Sequence, residues 1–197
     1  MGFVGMSKRS DQFKRSPRNF YPTPEKAVRP LLHYLPDPIQ FDEPCAGDGA
    51  LVGHLESVGH FCGGASDIHP MGDNIDTIDA LNINECYGEM FVTNPPWPEP
   101  NRGGDPALSI LMHLSAIAPT WALLPADFAH NVYFGQIEIR CRKIVSVGRV
   151  KWIEGTKHSG KDNAAWYLFD GDFAGATVFH GRSKPDLRHS LCMKMSA

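Results

Sequence analysis

Asn94, Pro95, Pro96 and Trp97 close the apolar run "GEMFVTN" with a stretch, TNPPW, that ends a strand and cannot easily continue it. Two readings follow from these residue types: a stiff loop that merely stops a strand, or a rigid cradle of carbonyl oxygens beside an aromatic face. Asparagine carries an uncharged acceptor and a donor on one side chain. Proline fixes φ, so the neighbouring carbonyls are held in place before any ligand arrives. Two acceptors, the Asn94 side-chain oxygen and the Pro95 backbone carbonyl, suit the two hydrogens of an exocyclic amine whose lone pair is delocalised into a ring. Binding both hydrogens favours a tetrahedral nitrogen and turns that lone pair out of the ring plane. Trp97 offers a face on which a flipped-out base can stack, worth about 1–3 kcal/mol. Alkyl transfer to such a nitrogen is a direct displacement, which needs alignment more than a strong base.

A second group of residues lies upstream, in "DEPCAGDGAL", where Gly47 and Gly49 fall between a predicted strand and a predicted helix. Glycines there permit positive φ and let a cofactor lie against backbone N–H groups at a helix start. The dinucleotide-binding fingerprint is the competing reading, but Gly53 comes one residue late for its third glycine. Glu43 also stands four residues before Gly47, unwelcome beside a pyrophosphate. It is welcome beside a cofactor with a cationic end, and S-adenosylmethionine carries an ammonium and a sulfonium and no phosphate. Asp67 ends the second predicted strand, eighteen residues after Gly49, where a carboxylate can accept from ribose hydroxyls. Asp79 in "IDALN" can accept from an adenine amino group. No GKS or GKT follows the loop, so a nucleoside triphosphate is unsupported. Cys45 lies in the cofactor loop and reads as packing, not as a nucleophile.

The elements that must position these groups can be read from periodicity. "FYPTPEKAVRPLLHYL" has turn chemistry at Pro22 and Pro24, then a helical pattern with Ala27, Val28, Leu31, Leu32 and Leu35 on one side. Pro24 suits the first turn of that helix and Thr23 its cap, while Pro30 predicts a kink or an early end. Strands are expected at "IQFDEP", "HFCGGASDI", "GEMFVTN" and "TWALLPADF", with helices at "ALVGHLESVG" and "PALSILMHLSAIAP" between them. That alternation predicts crossover units and a mainly parallel sheet. Beyond residue 140, "RKIVSVGRV", "AAWYLFD" and "GATVFHG" are strands without room for a helix between them, as an antiparallel edge hairpin requires.

A chain of 197 residues, 42% apolar, suffices for one well-buried core. Residues 1–18 read as a basic mobile arm and residues 19–197 as one domain. No apolar run approaches the roughly 18 residues of a membrane helix, and the basic N-terminus lacks a signal-peptide core. Five widely spaced cysteines without CxxC predict reduced thiols, a cytoplasmic setting and no structural metal. The net charge of −3 conceals a segregation. Residues 1–30 carry seven Lys/Arg against two Asp/Glu, residues 31–134 carry one against fourteen, and residues 135–197 carry eleven against six. Basic flanks around an acidic middle can form one positive face for nucleic acid, or ordinary solvated surface.

Together, "DEPCAGDGAL" and "TNPPW" resemble the class I S-adenosylmethionine-dependent methyltransferases that modify amino groups, most closely the N6-adenine DNA methyltransferases of phage and bacterial origin. "FYPTP" resembles their N-terminal cofactor motif, and the order of the three motifs is similar to the family's γ-type arrangement. The likeness covers about residues 19 to 170. It implies a Rossmann-like α/β fold, with a mainly parallel central sheet, helices on both faces and an antiparallel C-terminal edge hairpin. It also implies S-adenosyl-L-methionine as cofactor and adenine-containing DNA as partner. Tyr21 and Thr23 would enter the methionine end of the cofactor pocket, joined around the cofactor by Glu43, Cys45, Ala46, Gly47, Gly49, Asp67, Ile68, Asp79, Ala80 and Asn94. Catalysis would fall to Asn94, Pro95, Pro96 and Trp97.

Where the family places an aromatic against the second face of the base, "TKHSGKDNAAWYLF" has His158, with Trp152 as the alternative. Only 27 residues follow residue 170, so a separate target-recognition domain is not expected. Either recognition is loose, or nucleic-acid contacts come from the basic arm, from Arg102 in the 98–105 loop and from Trp152, Lys157, His158 and Lys161. Related motifs also occur in methyltransferases for RNA adenine and for protein glutamine. Glutamine-specific relatives typically carry tyrosine after the prolines, so Trp97 favours a nucleobase. A non-catalytic nucleic-acid-binding module on the same fold is a further alternative, and a dinucleotide oxidoreductase would leave NPPW without a role.

Overall fold

A computed structural model of the chain describes residues 20–97, 106–153, 160 and 162–182. Helix α1 spans only Glu25–Val28, and the chain then continues in tight turns, with the Leu31 amide donating to the Val28 carbonyl and the Tyr34 amide to the Leu31 carbonyl. Pro30 is the reason: it has no N–H to donate and its ring clashes with the preceding turn. The apolar set predicted for one side survives this early end, because Ala27, Val28, Leu31 and Leu35 are all buried together. The expected Thr23 cap is not made. Pro24 occupies the N-cap position without a side-chain cap, and the Thr23 hydroxyl is drawn to Asn94 instead.

Strand β1 (Gln40–Glu43) leads through the glycine loop into α2 (Ala50–Glu56) and then β2 (Phe61–Asp67). A two-residue strand β3 (Asp76–Thr77) and a 3-10 turn at Ala80–Asn82 follow. Strand β4 (Met90–Thr93), helix α3 (Pro106–Leu114) and strand β5 (Thr120–Pro125) form the next crossover. Three 3-10 turns between Phe128 and Arg140 replace a helix before β6 (Cys141–Arg149), β7 (Asn163–Phe169) and β8 (Val178–His180). The sheet order is β3-β2-β1-β4-β5-β7-β6-β8. Strands β1 to β5 are mutually parallel where they pair, and β7 runs antiparallel between β5 and β6. The predicted hairpin is thus present, but it is not the last element: β8 pairs parallel with β6 outside it. Strand β3 and the turns after β5 escape a reading by periodicity because each is too short for a period to repeat.

Period-two alternation in the central strands divides the core into two layers. Trp121 and Leu123 of β5, with Ala164, Trp166 and Leu168 of β7, face the layer of α1 and of Leu51 and Leu55 from α2. Their neighbours Ala122, Leu124, Ala165, Tyr167 and Phe169 face the other layer, with Ala107 and Leu111 of α3 and Phe128. Helices therefore cover both faces. Every parallel strand ends on one edge of the sheet, and the register of Pro125 opposite Ala164 and of Arg149 opposite Asn163 brings the β6–β7 connection to that edge as well.

Trp166 fixes the short first helix to the sheet: fully buried, it donates its indole N–H to the Ala27 carbonyl at 2.8 Å. Trp166→Phe strands that carbonyl in an apolar layer. The expected cost is about 1–3 kcal/mol of unfolding free energy, read from the midpoint of urea denaturation. An unchanged midpoint would show that the Ala27 carbonyl is satisfied without the indole.

Candidate active site

The glycine loop has the backbone expected of it, with φ of 57° at Gly47 and 82° at Gly49. A side chain at Gly47 would also collide with the ring of Phe20, which lies across the loop. The loop is tied down from β2: the Ala46 amide donates to the Ser66 carbonyl at 2.9 Å, and the Gly47 amide donates to Asp67 Oδ2 at 2.9 Å. Asp67 Oδ1 accepts from the His69 amide at 2.7 Å, so each of its oxygens holds one backbone group and keeps a lone pair. Ile68, next along, is 55% exposed at the strand tip. Asp79 caps the short turn that follows, accepting from the Leu81 amide at 3.0 Å, while Ala80 beside it is buried.

The two acids that end β1 have different fates. Asp42 accepts from the Tyr87 amide at 2.6 Å and from the Gly88 amide at 3.1 Å, which fastens the approach to β4. Glu43 is 1% exposed, accepts from the Cys45 amide at 3.3 Å through Oε1, and makes no hydrogen bond through Oε2. The Thr93 hydroxyl on β4 is likewise buried without a hydrogen-bond partner. Burial pushes the Glu43 carboxyl up to about 8, offset in part by the Cys45 amide that donates to it. Burial, reinforced by the charge of Glu43, also pushes the Cys45 thiol far above its ordinary range. Asp67 and Asp79 act on that thiol in the same direction, so three carboxylates converge on the loop. A thiol so raised is no nucleophile at neutral pH, and Cys45 packs against the layer containing Phe91, Ile110 and Leu114.

Beyond β4 the chain turns through Asn94, buried Pro95 and exposed Pro96 to Trp97. The Trp97 indole N–H is shared between the Leu123 carbonyl at 2.9 Å and Asn94 Oδ1 at 3.2 Å. Asn94 Nδ2 donates to Thr23 Oγ1 at 3.1 Å. Trp97 packs against Trp152, with ring centroids 5.1 Å apart and planes at 85°. The Trp152 segment is closed by a 2.7 Å bond from the Gly160 amide to the Val150 carbonyl, and a side chain at 160 would crowd the Trp152 indole.

The structure thus brings Thr23, Asn94, Trp97 and Trp152 into one chain of contacts, next to the glycine loop and its acids. Arg102, Lys157, His158 and Lys161 lie outside the described residues, as do the basic arm at residues 1–18 and residue 19. Sequence reasoning passed over Thr93 and Phe20. A hydroxyl immediately before NPPW was the available signal for the first; none marked the second. Among the described residues no group of His, Cys, Asp and Glu is arranged to hold a metal, and no helix is long and apolar enough to cross a membrane.

No protein-family model matches the sequence, and no curated protein matches it. Solved structures do match. A modification subunit assigned to a type I restriction enzyme from Vibrio vulnificus superposes with a TM-score of 0.55 at 14% identity, over 85% of this chain and 48% of that one. A type I restriction-modification methyltransferase subunit from Streptococcus thermophilus gives 0.56 at 11% identity, over 88% and 52%. A protein assigned as an RNA methyltransferase from Pyrococcus horikoshii gives 0.56 at 15% identity, over 80% and 91%. The chain spans about half the length of the two restriction-modification subunits. At these identities the likeness is one of architecture: this chain has the fold of the class I S-adenosylmethionine-dependent methyltransferases.

Proposed function

We propose that this chain transfers a methyl group from S-adenosyl-L-methionine to the exocyclic N6 amino group of adenine in DNA. The observation that carries the reading is the Asn94 amide. Its oxygen accepts one hydrogen bond, from Trp97, and has a second lone pair for an amine hydrogen, at the tip of a strand that adjoins an unpaired buried carboxylate. The second amine hydrogen falls to the Pro95 carbonyl, and Trp97 or Trp152 provides the aromatic surface.

The residues around the loop fit the cofactor. The unsatisfied Glu43 Oε2 and Thr93 hydroxyl form a buried polar pair without a partner, which a cationic ammonium would complete. The remaining lone pairs of Asp67 suit ribose hydroxyls, Asp79 an adenine amine, and Ile68 the apolar face of a ring. When bound, S-adenosylmethionine supplies the activated methyl group. The chain's own residues orient the amine, hold its hydrogens and exclude water; none has to act as a strong base or a covalent nucleophile. The fold shared with restriction-modification subunits favours DNA. One observation favours RNA adenine as a second reading: the match to the Pyrococcus protein spans nearly all of that chain.

Incubation with labelled S-adenosylmethionine and a panel of double-stranded DNA, single-stranded DNA, RNA and protein extract tests the substrate. Label is expected on DNA adenine, and label confined to protein would refute the reading. Asn94→Ala is expected to lower the transfer rate at least about 100-fold while calorimetric cofactor binding survives. Retained transfer would remove Asn94 from its role as amine acceptor.

The raised Glu43 carboxyl gives a pH signature. Its folded value of about 8 lies above the ordinary 4.5, so the ligand-free chain holds a proton there that the unfolded chain has lost. Between these values stability from this group falls as pH rises. A cationic ligand favours the ionised form, so cofactor binding at pH 7 should release about one proton and tighten as pH rises towards 8. Calorimetry in buffers of different ionisation enthalpy reads the proton directly. Glu43→Gln should abolish the release, and a wild type that releases none would refute an ammonium at Oε2.

A further inference from the structure

The geometry points to Thr23 and Trp97 as positioning residues that lock the Asn94 side-chain amide in one orientation; this rests on the reading of Asn94 as amine acceptor given above. An asparagine amide is nearly symmetric in shape, and a half-turn about its last bond exchanges an acceptor for a donor. Presented the wrong way round, its NH2 would meet the amine's hydrogens and repel them. An indole N–H can only donate, so the 3.2 Å contact from Trp97 Nε1 requires oxygen on that side. The opposite end, Nδ2, is then a donor, and the Thr23 hydroxyl receives it at 3.1 Å. Flipping the amide would break the first bond outright and set its oxygen against a hydroxyl that would have to reorient to donate.

Both clamps are themselves fixed. Thr23 is 5% exposed and stands on Pro24, whose φ is set by its ring. Trp97 Nε1 is anchored at 2.9 Å to the Leu123 carbonyl of β5, and its ring abuts Trp152. This assigns Trp97 a second duty beyond a stacking face, one that a ring without an N–H at that place would not perform. It also gives Thr23 a duty towards the amine site, across a separation of 71 residues, besides any contact it makes with the cofactor.

The test separates orientation from binding. Thr23→Val keeps the side-chain shape and removes the acceptor; it is expected to lower kcat at saturating cofactor about tenfold, with nucleic-acid KM near wild type, and Thr23→Ser is expected to restore kcat. Trp97→Phe keeps a ring and removes the donor, and should lower kcat with little change in KM. Loss confined to cofactor Kd or to KM, or no rescue by serine, would overturn the proposal. A second readout does not depend on activity: the Asn94 side-chain amide protons of a nitrogen-labelled sample, assigned by their absence in Asn94→Ala. One of them should exchange slowly with solvent in the wild type and rapidly in Thr23→Val; equal exchange in both would overturn the lock. If the wild type methylates no nucleic acid, the enzymatic reading fails by itself, and the exchange measurement still decides whether Thr23 holds Asn94.

Discussion

One side-chain amide joins three segments that are far apart in the chain. Asn94 stands where β4 ends, takes Thr23 of the N-terminal segment on one side and Trp97 on the other, and through Trp97 reaches the carbonyl of Leu123 in β5. The order of the sheet makes this possible, since β4 and β5 are parallel neighbours and stop on the same edge. Proline at 95 and 96 makes it stable, since neither residue can donate to continue the ladder and both hold φ. A polar network in a half-buried place is worth having only when its members are satisfied, and here the Trp97 indole N–H and the Asn94 Nδ2 each have an acceptor.

The same edge shows how one residue type is put to different uses. Asp42, Asp67 and Asp79 all spend oxygen lone pairs on backbone amides, which fastens the approach to β4, the glycine loop and the turn after β3. Glu43 is the exception. It is buried as deeply as any of them, yet one oxygen has no partner, and burial holds a proton on the group well above the ordinary carboxylate range. An isolated buried carboxylate is costly, and a neutral or partnered one is not. This is the group at the lip of the glycine loop that we propose receives the cationic end of the cofactor.

The layers behind the edge serve to hold it still. Central strands alternate their apolar residues between the α1/α2 layer and the α3 layer, so neither face of the sheet can rotate its tips without unpacking Trp121, Trp166, Tyr167 or Phe91. Where helices would ordinarily complete the coverage, this chain uses short 3-10 turns, between β3 and β4 and again between β5 and β6.

Much of this is legible in the amino-acid sequence. Short apolar runs in β4, β5 and β7, turn chemistry at Gly47 and Gly49, and the strand-ending prolines are local signals, because each depends on residues a few positions apart. The early end of α1 was likewise marked by Pro30. Strand β3 was too short for any period to register, and Thr23 read as a helix cap because local chemistry alone made it one. What the sequence could not decide was partnership. That Thr23 leaves its helix to hold Asn94, that the Trp97 indole turns its N–H to Leu123, and that Glu43 keeps a buried oxygen without a partner are matters of which groups meet across the sheet edge. Burial and long-range pairing set those outcomes, and only the tertiary structure supplies them.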